Sequence, residues 1–236
     1  DGFRLLGRLD RIVKLEEKRI SLPRIEQALC AHPWVADARL GLVSGNRASL
    51  GAVVALADAG IEALRSRGRR ALVTTLREAL APDVEELALP RRWRFVRHLP
   101  TNSQGKLRQV DIDAQLQAAR PRQPIVHGVE RIDATVRLAL EVPLDLAHFS
   151  GHFATTPVLP GVLQIGWAID LARQHLTFPP SFAGMEVIKF QRLLRPGDMT
   201  RLELRVDAAR GKLHFSYGAD GVPNSSGRII FEDPHA

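Results

Sequence analysis

Two histidines, one aspartate and one lysine are the residues whose types and surroundings suggest chemistry. His148 and His152 stand four residues apart in Ala147-His148-Phe149-Ser150-Gly151-His152. On a helix that spacing puts two imidazoles on one face, where they can ligate a metal. Gly151 and the Thr- and Pro-bearing run after it argue against a helix, and no third ligand is apparent, so no metal site is expected. Asp170 is the only acidic residue in an otherwise apolar stretch from Leu159 to Leu171. A carboxylate in apolar surroundings is costly unless paired, so Asp170 is expected to have a partner or a function. Lys106 follows Gly105 at the end of a polar loop, Pro100–Gly105. The single cysteine, Cys30, excludes an internal disulfide and a multi-cysteine metal site and suits a reducing cytosol.

The elements around these residues fall into two sets. In the first half, Arg11–Leu15 and Lys18–Ser21 read as a hairpin, with Phe3–Arg8 also extended. Ser21 then precedes Leu22-Pro23 and a Leu22, Ile25, Leu29 apolar face, the pattern of a capped helix. Val35–Val43 and Ala48–Leu56 read as strands, Asp58–Leu80 as a helix interrupted near Gly68, Trp93–Val96 as a short strand and Arg108–Ala119 as a last helix. Arg120-Pro-Arg-Gln-Pro124 is linker-like, because two prolines flank polar residues and apolar periodicity stops. The second half reads as an alternating strand, Val129–Val142, and a loop rich in His, Gly, Thr and Pro. A helix, Leu159–Leu176, follows, expected to be buried nearly all round, with Trp167 in the core. Strands at 184–193 (with Phe190 in the core), 199–207, 212–217 and 227–232 complete it. One buried helix against an antiparallel sheet is an α+β layer architecture.

The chain has 236 residues, a size that accommodates two domains, with 45% hydrophobic and 25% charged residues, which excludes a disordered or fibrous chain. Net charge is +7, all of it in residues 1–120, which hold 21 Lys or Arg against 14 Asp or Glu; residues 121–236 hold 12 of each. Such an excess brings nucleic acid, membrane phosphates and acidic partners into question. No nucleic-acid motif or aromatic–basic interleaving accompanies it. The basic residues are mainly Arg (28 against 5 Lys), a bias that GC-rich coding explains equally well. The longest uncharged run, Leu146 to Ile169, is broken by His148, Gly151, His152, Pro157, Pro160 and Gly161, so no membrane insertion is expected.

Gly7-Arg8-Leu9-Asp10-Arg11-Ile12-Val13-Lys14, then Lys18-Arg19-Ile20 and Ile25-Glu26, and the run Leu99-Pro100-Thr101-Asn102-Ser103-Gln104-Gly105-Lys106-Leu107, whose Lys106 stands 96 residues after Asp10, together resemble the C-terminal lid domain of the acyl-adenylating superfamily. That superfamily comprises acyl-CoA synthetases, peptide-synthetase adenylation domains and luciferases. The match covers residues 1–118, with 119–128 as linker. By that resemblance Lys106 is the lysine that enters the adenylation site and neutralises charge on the phosphorus. Asp10 is the hinge of lid rotation, and Arg8, Lys14 and Arg19 serve the nucleotide and thiol side. ATP and AMP, and coenzyme A or phosphopantetheine, are the implied cofactors. Glu17 departs from the family's Gly, which favours a carrier-protein acceptor over the usual coenzyme A geometry. The phosphate loop and adenine pocket of such ligases are not in this sequence, and the chain opens on Asp1 without an initiating Met. The 236 residues alone are therefore expected not to adenylate, and the lid is read as the end of a larger domain.

The run from His148 to Gln164, with Gly151-His152-Phe153 and Pro157-Val158-Leu159-Pro160-Gly161-Val162, resembles the hot-dog 3-hydroxyacyl-acyl-carrier-protein dehydratases. So do Lys189-Phe190 with Arg192, and Pro196-Gly197-Asp198. The resemblance spans about 129–233 and implies a hot-dog fold, an antiparallel sheet wrapped round one central helix. It also implies a homodimer and an acyl-carrier-protein or coenzyme A thioester as partner. Dehydration needs a base for the C2 proton, an acid for the leaving hydroxyl and donors for the thioester oxygen. By resemblance His152 is the catalytic histidine, and the Gly161 amide at the helix start suits the oxygen. Fourteen residues after His152 the family has an Asp or Glu; this chain has Gly166, and Asp170 stands four residues further along the same helix face. Three readings stay open: Asp170 as a displaced acid, a binding-only or dimerisation hot dog, and thioester hydrolysis. A lid fused to such a domain resembles the ligase–dehydratase fusions of polyunsaturated lipid or aryl-polyene pathways and implies a cytoplasmic bifunctional protein.

Overall fold

The computed structural model describes residues 11–45, 47–151, 153–179, 181–219 and 221–232. The chain divides into two compact units, residues 1–120 with 154–156, and residues 121–153 with 157–236.

The first unit opens with the expected hairpin. Strands β1 (Ile12–Leu15) and β2 (Lys18–Ser21) pair antiparallel with only Glu16 and Glu17 between them. Helix α1 (Leu22–Cys30) follows at once, burying Leu22, Ile25 and Leu29 at its apolar spacing. Ser21 takes the N-cap position, but its hydroxyl makes no capping bond; Pro in the first turn fixes the start instead. Strands β3 (Val35–Val43) and β4 (Ser49–Leu56) pair antiparallel, and β5 (Arg92–Val96) joins β4 in parallel. Between β4 and β5 runs α2 (Asp58–Leu80), broken where Gly68 adopts φ 78° and ψ 169°, a region glycine enters without steric cost. Helix α3 (Gln109–Gln117) closes the unit by seating Ile112 and Leu116 on Val43 and Val53. Glu26 ties hairpin to sheet: one carboxylate oxygen takes Arg11 at 2.9 Å and the other accepts the Leu40 amide at 2.7 Å. That pairing accounts for a carboxylate only 6% exposed.

The second unit is one sheet on one helix. Six antiparallel strands run in the order β6 (Ile125–Ile132), β7 (Thr135–Glu141), β9 (Met199–Asp207), β10 (Lys212–Ala219), β11 (Val222–Glu232), β8 (Ser181–Phe190). Helix α4 (Gly161–His175) packs on one face. Alternate residues of the inner strands, Leu138, Leu202, Leu204, Leu213, Phe215 and Ile229, meet Trp167, Ala168 and Leu171 of the helix. Each such side chain taken from water contributes about 1.5–3 kcal/mol. This is the α+β hot-dog arrangement.

Three expectations are corrected. The strand read over Val129–Val142 is the hairpin β6–β7, turning at Asp133 with φ 51°. Its first strand begins at Ile125, inside the stretch expected to be linker. Helix α4 is buried along one face only, through Gln164, Trp167, Ala168, Leu171 and Ala172, while Val162 is 74% exposed. Phe190, expected in the core, is 53% exposed because its strand forms the edge of the sheet.

Candidate functional site

In the second unit the site begins with a short 3-10 turn, Ala147–Ser150, anchored by buried Phe149. Its His148 holds Nδ1 buried with no hydrogen-bond partner. His152 lies outside the described residues. Its neighbour Phe153 carries φ 54°, a conformation costly for a bulky side chain. Among the described residues no group of three or more His, Cys, Asp or Glu could hold a metal ion.

The chain then runs to Pro160, the N-cap of α4. The amides of Leu163 and Gln164 both donate to the Pro160 carbonyl, at 3.0 and 3.2 Å. Those of Gly161 and Val162 are the first two of the helix and lack intrahelical acceptors, as helix starts do. They point a partial positive charge out of the helix end, where a developing oxyanion is stabilised. A Cβ at Gly161 would stand 2.3 Å from the Phe190 ring, so the ring lies directly over the first turn.

The same turn is held from below by polar groups that sequence reasoning missed. Gln164 is 3% exposed; its Nε2 donates to the Leu159 carbonyl at 3.1 Å and its Oε1 accepts from Ser225 at 2.6 Å. Tyr217 donates its hydroxyl to the Gln164 carbonyl at 2.8 Å. Burial pushes the Tyr217 phenol well above its ordinary pKa, so it remains a donor. A glutamine in an otherwise apolar helix was the available signal. Asp170 lies further along α4, half-buried, and accepts from Gln123 Nε2 at 3.2 Å. It thus has the partner its surroundings demanded. At Gly166 a Cβ would meet nothing within 4 Å, so space stands open where the resemblance places the acid.

In the first unit Lys106 sits exposed at the end of a closed turn. Asn102 accepts the amides of Gln104 and Lys106 on its side chain, at 3.0 and 2.9 Å, and the Gly105 amide on its carbonyl. Gly105 takes φ 71°. Lys14 and Arg19 stand directly opposite each other on β1 and β2, a like-charge pairing that costs energy. Glu17, the departure from the family's glycine, answers it with an ion pair to Lys14 at 3.0 Å. Arg8 and Asp10 lie outside the described residues.

A family model described as ApeI-like, ApeI dehydratase, matches residues 128–228. The 3-hydroxyacyl-[acyl-carrier-protein] dehydratase FabZ of Clostridium perfringens is 33% identical over 118 residues, covering 45% of this chain and 85% of that protein. The dehydratase heterocomplex ApeI:P from Xenorhabdus doucetiae is 34% identical with TM-score 0.44, covering 47% of this chain and 99% of that one. The amide bond synthetase McbA from Marinactinospora thermotolerans is 26% identical with TM-score 0.39, covering 47% of this chain and 21% of that one.

Proposed function

The chain belongs, through its second unit, to the 3-hydroxyacyl-[acyl-carrier-protein] dehydratase family, and from that premise we propose that it removes water from a 3-hydroxyacyl thioester borne by an acyl carrier protein. His152 takes the C2 proton as general base. The C2–H electron pair becomes the C2=C3 bond, the C3–O bond breaks, and the oxygen leaves as water after accepting a proton. The Gly161 amide holds the thioester oxygen while negative charge builds on it. Asp170, the acidic residue of α4, donates the proton to the leaving hydroxyl. The observation that carries this reading is the uncommitted amide pair at the start of α4, nine residues after His152 in the matched sequence.

The test is a 3-hydroxyacyl carrier-protein or N-acetylcysteamine thioester with enoyl formation followed directly. Wild-type turnover should fall by roughly 100-fold or more in His152→Ala and in Asp170→Asn. Gly166→Glu in the Asp170→Asn background should restore part of it, since that position has room and stands about 6 Å, one helical turn, nearer the helix start. Acyl thioester bound without turnover would make the unit a binding module, and free thiol without enoyl would make it a thioesterase. Two copies are proposed to assemble through this unit, in the cytoplasm.

For the first unit the supported reading is the lid of an AMP-forming acyl ligase. Lys106 serves the acyl phosphate chemistry of ATP and AMP. Asp10 is assigned as the hinge, and Arg8, Lys14 and Arg19 with it as cofactor-binding residues for coenzyme A or phosphopantetheine. Supporting it are the paired motifs and a lysine presented on a turn that its own backbone closes. Because the sequence lacks a phosphate loop, ATP–pyrophosphate exchange by the 236 residues alone should be at background. A robust exchange signal would refute the lid reading.

A further inference from the structure

The face of the six-stranded sheet turned away from α4 carries a second built feature. Two cross-strand rows lie side by side on it. In one, Thr135, Arg205, His214, Arg228 and Glu186 stand opposite one another in turn; in the other, Arg137, Glu203, Ser216, Ser226 and Lys189 do so. Between the rows is a cavity of about 340 Å³ whose lining includes Lys189, Glu203, Arg205, His214, Ser216 and Arg228. Three cations thus face one carboxylate.

That carboxylate is already engaged, since Glu203 pairs with Arg137 at 2.8 Å. Glu186 is engaged as well, by Lys212 at 2.7 Å and Arg228 at 3.3 Å, and Asp207 takes Arg210. Among the described residues Arg205 and Lys189 have no ion-pair partner. His214 stands directly between two guanidiniums, with its Nε2 buried and unpartnered. Like charges opposite one another across strands are destabilising, and a buried polar nitrogen without a partner costs about 1–3 kcal/mol. Both costs vanish together if an anion sits among these groups. The edge strand is shaped for it. A bulge in β8 puts Val187 at φ 54°, an outlier for a β-branched residue, and Val187 lines the same cavity.

We propose that this outer-face cavity binds a phosphoryl group, held by Lys189, Arg205 and Arg228, with His214 donating from Nε2 and Ser216 and Ser226 completing the shell. A phosphate dianion matches the three cations, and its tetrahedral oxygens accept from several directions at once, which a planar carboxylate does less well. The site is separate from the helix-side dehydratase chemistry. The phosphoryl group is that of free phosphate or of a phosphopantetheine-type ester.

Calorimetric titration of the full chain at pH 7.5, where both probes are mainly dianions, in phosphate-free buffer of fixed ionic strength, tests this with inorganic phosphate and with pantetheine 4′-phosphate. Pantetheine itself is the unphosphorylated control. Saturable binding with one phosphoryl group per chain is expected, with pantetheine silent. Tighter binding of the ester assigns that source, and equal binding assigns free phosphate. Arg205→Ala and Lys189→Ala, both exposed and tolerant of change, should each weaken it by about tenfold. His214→Gln, which removes the Nε2 donor, should weaken it at fixed pH as well. No saturation by about 10 mM of either probe, or affinities unchanged in both surface variants, overturns the proposal.

Discussion

His214 illustrates how a single side chain couples this fold to pH. Burial holds its imidazole below the ordinary histidine pKa, and the charges of Arg205 and Arg228 on the neighbouring strands push the same way, with Lys212 adding and Asp207 opposing. The unfolded chain therefore binds the proton more readily. Above about pH 6.5 both states are neutral at this residue and it contributes no pH dependence. As pH falls below that value the unfolded state is protonated first, so stability is lost down to the lower folded pKa. In phosphate-free buffer, the fall in thermal midpoint of the second unit between pH 7.5 and 5.5 should be smaller in His214→Gln than in wild type. Partly buried His32 of the first unit is shifted in the same direction and is common to both proteins, so it cancels. Equal falls would show that His214 does not contribute. Saturating phosphate should narrow the difference, because an anion beside the imidazolium removes the repulsion that causes it.

At the scale of elements, much of the fold is legible because short-range rules and burial agree. Leu15 to Lys18 leaves room for only a two-residue turn, Pro23 and the Leu22, Ile25, Leu29 spacing mark α1, and Gly68 breaks α2 where a positive φ is needed. Strand β9 runs over Met199–Asp207 as its alternation predicts. The β6–β7 hairpin is hidden because its turn uses Asp133 and Ala134 with no glycine. Asp tolerates the left-handed region, so alternation runs through the turn without a visible break. Phe190 looks like a core residue because apolar type says nothing about strand order, and only the order puts β8 at an edge. In the candidate site, Gly161 and Asp170 are readable as residues. The Gln164, Ser225 and Tyr217 bonds are not, since they join positions up to 61 apart in sequence. The outer-face rows are invisible for the same reason: they exist only once five strands share a register.

Whole-molecule behaviour follows from that edge. Strand β8 offers ten residues of backbone with one side unpaired, and Phe182, Met185, Val187 and Phe190 along it are each half-exposed or more. Leu193 just beyond and Val162 at the start of α4 extend the apolar surface. A long apolar edge is a template for further strand pairing, and soluble proteins ordinarily blunt or cover it. A second copy related by a two-fold axis covers it most economically, because an antiparallel pair of identical strands is self-complementary and closes without leaving a new edge. The same pairing would cover Phe190 beside Gly161, enclosing the amide donors that the dehydration chemistry requires. Sedimentation of the chain should therefore give twice its 26.1 kDa mass. Phe182→Lys, a charge placed on the exposed edge strand, should shift the chain to a single copy at micromolar concentration and lower enoyl formation with it. A single copy in wild type over the whole concentration range, with turnover intact, would show that one chain closes its own site.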